Sequence, residues 1–173
     1  MSSLTRPVAA LVPPHGRGLP TRGPAFRPGS DAPAAAMSRE ALSAWRADIN
    51  RIASEGSGDG LSVVLYALTR PGGDPHGDLA TAQGYADAQQ LVVVDRIFDV
   101  VAGDDHPCVV DPALRRGYAR ALHLMGDPSS PVRGLVAVSR TAVTPADRTY
   151  RDQLALCAAR GTALHLVRGE TAM

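Results

Sequence analysis

The feature that most constrains this chain is an alternation of four short aliphatic runs with three stretches of helical spacing, which begins after the glycine-rich break Glu55-Gly56-Ser57-Gly58-Asp59-Gly60. The runs are Leu61–Thr69, Leu91–Phe98, Val132–Val138 and Ala163–Val167. Each is apolar almost without interruption, the pattern of strands covered on both faces as in a parallel sheet. Between them, helices are expected at Asp78–Gln90, Pro112–Met125 and Pro145–Arg160. Leu114, Tyr118, Leu122 and Met125 form one stripe on the second of these, and Ala146, Tyr150, Leu154 and Cys157 form one on the third. Asp111-Pro112 and Thr144-Pro145 each supply a cap followed by a proline at the first helical position, and Gly126 and Gly161 supply the stops. The β-α-β-α-β-α-β order predicts an α/β fold. It should be an open, mainly parallel four-stranded sheet with helices on both faces, joined by right-handed crossovers.

Ahead of this alternation, Leu42, Trp45, Ile49 and Ile52 recur at three and four residues, which predicts a helix over 38–54 with Ser38 at its start. The glycine-rich break behind it is a flexible linker, so the helix is free to dock on the domain or on a second copy. Self-association through this helix is the partner contact expected. Residues 1–36 are rich in Pro, Gly, Ala and Arg, hold one acidic residue (Asp31) and show no apolar period. Such a segment is expected to be disordered, and Met37 directly behind it is an alternative start. Three segments follow: 1–36 disordered, 37–60 helix and linker, 61–173 the α/β domain.

Composition narrows the function classes. At 173 residues one core is expected, and with aromatic residues at 4% it must be aliphatic. The 18 basic residues, all arginine, face 17 acidic ones and leave a formal charge of +1, so no global field draws the chain to nucleic acid or an anionic membrane. Any DNA contact is expected to be local and weak. No apolar run reaches the roughly 18 to 20 residues a bilayer crossing needs, so no membrane partner is expected. Cys108 and Cys157 form no CxxC pair and no secretory signal is visible, which points to a reducing, cytoplasmic setting.

Over residues 63–168 the chain resembles the catalytic domain of serine recombinases, the resolvases and DNA invertases. The family's first strand reads Y-x-R-x-S, and Tyr66-Ala67-Leu68-Thr69-Arg70 occupies that place. Its second strand leads to F-x-D-x-x-S-G, for which this chain has Phe98-Asp99-Val100-Val101-Ala102-Gly103. The R-P-x-L opening of its next helix aligns with Asp111-Pro112-Ala113-Leu114, and the L-D-R-L-S-R end of its third strand aligns with Val138-Ser139-Arg140-Thr141-Ala142-Val143. The closing phrase is Ala159-Arg160-Gly161-Thr162-Ala163-Leu164-His165-Leu166-Val167. The resemblance implies a resolvase-like fold and, in intact members, serine attack on a DNA phosphodiester with arginines stabilising the charge that develops.

The departures from the family pattern bear on activity. Arg70 stands at the nucleophile position, Leu68 at the first-strand arginine, Asp111 at the pre-proline arginine, Ser139 at the strand-three aspartate and Val143 at the final arginine, while Arg140 matches. A guanidinium stays protonated and cannot attack. A one-residue slip would bring Thr69 to the nucleophile position but would break the Tyr66 match. The family also carries a long helix and a DNA-reading domain beyond this core, neither of which is visible before Met173. The leading expectation is a catalytically silent, resolvase-like domain acting through protein association or regulatory contact. One alternative is a recombinase-family DNA-binding protein, and another is a binder of a small phosphorylated ligand at the strand ends.

Ligands in open α/β sheets favour the carboxyl ends of the strands, so a ligand site is expected where Arg70, Asp99, Ser139 and Arg140 converge. The loop Arg70-Pro71-Gly72-Gly73-Asp74-Pro75-His76-Gly77 fits no phosphate-loop pattern, and its prolines remove backbone donors. Asp104-Asp105-His106-Pro107-Cys108 offers metal-ligating side chains without a second cluster, so neither metal nor cofactor is expected. His123, His165 and Cys157 read as packing or surface residues, and Arg115, Arg116, Arg120, Arg148 and Arg151 as solvated helix faces.

Overall fold

A computed structural model of the chain describes residues 37–58, 60–101 and 111–170. The sequence 1–36, the Asp104–Cys108 cluster and residues 171–173 lie outside the described residues. Helix α1 (Arg39–Glu55) leads into strand β1 (Ser62–Thr69), helix α2 (Pro75–Ala88) and strand β2 (Val92–Val100). A 3-10 turn (Pro112–Leu114) precedes helix α3 (Arg116–Gly126), strand β3 (Gly134–Ala137), the short helix α4 (Arg140–Val143), helix α5 (Asp147–Arg160) and strand β4 (Ala163–Leu166). The four strands are all parallel, in the order β2-β1-β3-β4. The α/β sheet expected from the aliphatic runs is therefore present, with helices on both faces.

β1 runs through the middle of the sheet, and its residues Val63 to Ala67 are buried on both sides. Val64 and Tyr66 face one layer with Leu135, Leu164, Tyr118 of α3, and Tyr150 and Leu154 of α5. Val63 and Leu65 face the other with Val136, Leu79, Ala82 and Ala86 of α2. The continuous apolarity of β1, β3 and β4 is thus the signature of a two-sided core.

β2 departs from that expectation. It is an edge strand with an in-and-out burial pattern, and Val92, Val94, Phe98 and Val100 are 48%, 47%, 49% and 52% exposed. Its apolar run does not distinguish it from a central strand, although Ile97 is its one buried residue. A register shift between Val63 and Val64 leaves Val94 as an extra residue in the ladder.

Three helix starts also shift: α5 begins at Asp147 behind Ala146, so Thr144-Pro145 lies ahead of the helix instead of capping it. Pro112–Leu114 closes a separate 3-10 turn capped by Asp111, whose carboxylate accepts from Ala113 N at 2.9 Å. Arg115 then takes an extended conformation, so α3 begins at Arg116 and Leu114 projects outward at 77% exposure instead of joining the core stripe. α2 begins earlier than its apolar spacing suggests, at Pro75, because the Asp74 carboxylate accepts from His76 N at 2.8 Å and proline suits the first turn.

α1 docks on β4. Leu42 and Ile49 are buried in the core, and the Asn50 carboxamide pairs with one residue of the strand edge, donating to Leu164 O at 2.9 Å and accepting from Leu164 N at 2.8 Å. The side chain thus takes the place of a neighbouring strand and closes an edge that would otherwise present free backbone groups. Among the described residues, no helix is long and apolar enough to cross a membrane.

His165 of β4 is packed, as its place in the strand suggested. Its Nδ1 lies 3.2 Å from Tyr85 Oη, and its Nε2 is buried without a partner. Burial, aided by the nearby Arg46 guanidinium, pushes its pKa down to about 4. The folded chain therefore keeps this ring neutral while the unfolded chain protonates it below about pH 6.5. Because the unfolded state binds more protons between those values, stability falls as pH drops through this window. The unfolding free energy should decrease by about 2 kcal/mol between pH 7 and pH 5, and His165→Asn should flatten that slope in paired urea titrations.

Candidate functional site at the β1/β3 crevice

The chain leaves β1 toward β2 on one side of the sheet, while β3 lies on the other, so the carboxyl ends of β1 and β3 flank a topological switch point. A pocket of about 230 Å³ opens there. Leu68, Val138 and Ala142 give it apolar walls, and Thr69, Ser139 and Thr141 bring hydroxyls. Arg70 and Arg168 supply positive charge and Asp78, from the first turn of α2, a carboxylate.

Local folding explains how these groups arrive. Arg70 sits on the turn leaving β1, where its carbonyl accepts from Gly73 N at 2.9 Å. A Cβ at Gly73 would displace the Thr69 hydroxyl, and Gly72 beside it takes a positive φ of 76° that favours glycine. The Thr69 hydroxyl donates to Arg70 O at 3.3 Å. On the facing strand end, Ser139 caps α4 and its Oγ lies 2.7 Å from Thr141 Oγ1.

Of the four residues expected to converge, Arg70 and Ser139 line the pocket, while Asp99 and Arg140 have other partners. Asp99 Oδ2 accepts from Tyr66 Oη at 2.9 Å and from Tyr118 N at 2.9 Å, and Oδ1 accepts from Gly117 N at 2.8 Å. It therefore satisfies the first free amides of α3. Gly117 permits the approach, since a Cβ there would lie 2.8 Å from Asp99 Oδ2. Arg140 is buried, pairs with Asp147, donates to Pro145 O at 2.9 Å and lies 4.8 Å over the Tyr150 ring. It ties α4 to the start of α5. Of the remaining aligned positions, Leu68 lines the pocket, Val143 is buried and Asp111 caps the 3-10 turn.

Arg115 was read from sequence as part of a solvated helix face, and the structure buries it. Its guanidinium donates to Ala142 O at 2.8 Å, to Val143 O, and to Tyr66 Oη at 3.2 Å, between the rings of Tyr66 and Tyr118 at 5.8 and 5.3 Å. It thus holds the last carbonyls of α4, directly behind the pocket wall at Ala142. The Tyr66 hydroxyl is held well above its usual pKa by burial, with the Asp99 carboxylate reinforcing and Arg115 opposing that shift. It stays protonated and relays between Arg115 and Asp99. No sequence signal marked this residue, because Leu114, Tyr118, Leu122 and Met125 keep one continuous helical spacing across it. Arg120, by contrast, is exposed and pairs with Asp95 at 2.8 Å. Among the described residues, no group of three His, Cys, Asp or Glu side chains could hold a metal ion.

No protein-family model matches the sequence, and no curated protein matches it. Solved structures do. The C-terminal catalytic domain of ISC1926 TnpA, an IS607-like serine recombinase, aligns with a TM-score of 0.50 and 18% identity over 62% of this chain and 70% of that one. The N-terminal catalytic domain of TP901-1 integrase aligns with a TM-score of 0.50 and 11% identity over 62% of this chain and 77% of that one. By these alignments, this chain has the fold of serine-recombinase catalytic domains.

Proposed function

We propose that this is a recombinase-like domain that holds a phosphate-bearing ligand in the β1/β3 crevice without attacking it. The observation that carries the reading is Arg70: it lines the pocket at the position where the resemblance places the attacking serine. A guanidinium there binds phosphoryl oxygens through charge-assisted hydrogen bonds but offers no nucleophile. Among the described residues, the pocket hydroxyls are engaged with each other or with backbone, and no histidine lines the pocket to activate one. Arg168 adds a second cation, and Asp78 can accept from a ligand hydroxyl beside the phosphate.

The test is a titration of the full chain with inorganic phosphate and with a deoxydinucleotide at low salt, read by calorimetry and by thermal shift. Binding should raise the melting temperature and weaken with added salt. Arg70→Ala should weaken it by about tenfold or more, the loss expected of one charge-assisted contact. No stabilisation by either compound at millimolar concentration would remove the reading.

A further inference from the structure

The sheet has two edges, and the chain treats them differently. α1 closes β4 through Asn50, whereas β2, the longest strand, presents its outer edge with Val92, Val94, Phe98 and Val100 about half exposed. Natural edges are commonly defended by charges that project past the strand. Here the charged side chains are drawn back onto the helices. Arg96 donates to Gln83 Oε1 of α2 at 2.6 Å, and Asp95 accepts from Arg120 of α3 at 2.8 Å. What remains at the edge is apolar, and among the described residues it pairs with no further strand.

We propose that β2 is a self-association surface, on which a second copy of this chain adds its own β2 in antiparallel fashion about a two-fold axis to make one continuous sheet. A two-fold contact must be self-complementary, and like charges placed opposite each other on paired strands are destabilising. The extra residue at Val94 confines straight pairing to Asp95–Val100. An axis at Asp95, Arg96 or Asp99 sets a charged side chain against its own copy. One at Ile97 sets Asp95 against Asp99, and one at Val100 overlaps only the end of the strand. An axis at Phe98 brings the two Phe98 rings together, places Arg96 opposite Val100 and Ile97 opposite Asp99, and opposes no like charges. The charge pattern of β2 thus selects a second copy in a single register. This surface is separate from the β1/β3 pocket, and the inference does not rest on the ligand reading.

The test uses the full chain in sedimentation experiments across the micromolar range. A discrete species of twice the chain mass is expected, and Phe98→Lys should return it to monomer with an unchanged circular dichroism spectrum. In a Cys108→Ser background, Phe98→Cys should form a disulfide-linked dimer on mild oxidation, because residues facing across the axis lie within disulfide reach. Val94→Cys, at the bulge, should not. A chain that stays monomeric throughout the range, a dimer indifferent to Phe98→Lys, or equal cross-linking at Val94 would overturn the proposal.

Discussion

Glu170→Ala is expected to destabilise the domain by about 3 to 5 kcal/mol, the range for stripping one partner from a buried ion pair. Glu170 follows β4 and is 6% exposed. Its carboxylate accepts from Arg46 Nε at 2.6 Å and Nη2 at 3.1 Å, and from Tyr150 Oη at 3.0 Å. One residue therefore joins α1, α5 and the chain end beyond β4. Alanine would leave the Arg46 guanidinium largely buried without a counter-ion, near His165, and the Tyr150 hydroxyl without an acceptor. Burial opposes ionisation of Glu170, but the Arg46 and Tyr150 contacts outweigh it, and the pKa lies below the usual value. A lowered carboxylate pKa contributes stability above the unfolded value of about 4.3, and that contribution is lost as pH falls through the folded value. Urea unfolding at pH 7 should show the full deficit in Glu170→Ala. Glu170→Gln, which can still accept from Tyr150, should lose less. A deficit under about 1 kcal/mol would mean that the pair only breaks even against its desolvation.

The second large effect is expected at Arg115. Arg115→Leu should cost about 3 kcal/mol, because it strands the buried carbonyls of Ala142 and Val143 and removes a donor from Tyr66, while relief of the buried charge offsets part of the loss. These carbonyls end α4, whose other side is the pocket wall, so phosphate binding should weaken along with stability. Arg115→Lys keeps the charge but not the planar fork that reaches two carbonyls at once, and should recover only part of either loss. Thermal unfolding and phosphate titration on the same samples check both effects. A Leu variant as stable as the parent would show that the buried guanidinium contributes specificity and no net stability.

The course of the chain was legible in its sequence because apolar spacing and caps act locally. β1, β3 and β4 lie within their aliphatic runs, and Gly161 ends α5 in the left-handed conformation expected of it. The switch point followed from the strand order, which brought Arg70 and Ser139 to one pocket. Side-chain direction was not legible. Asp99 and Arg140 sit at the same sheet end as Arg70, but Asp99 points to the free amides of α3 and Arg140 to Asp147 of α5, partners 18 and 7 residues away. Arg115 lies in a stretch whose apolar spacing suggested an unbroken helix, and the 3-10 turn that breaks it turns the guanidinium inward. The exposure of β2 was hidden for a related reason, since an apolar run cannot say whether a strand lies at the centre or the edge of its sheet.

The most direct test of the central claim is to incubate the full chain and Arg70→Ala with a short DNA duplex at low salt, and to follow bound DNA and covalent protein–DNA product in the same reactions. The account predicts salt-sensitive, Arg70-dependent binding with no covalent product at any time. A covalent adduct formed by the unaltered chain would contradict it, because a nucleophile would then be at work in the crevice.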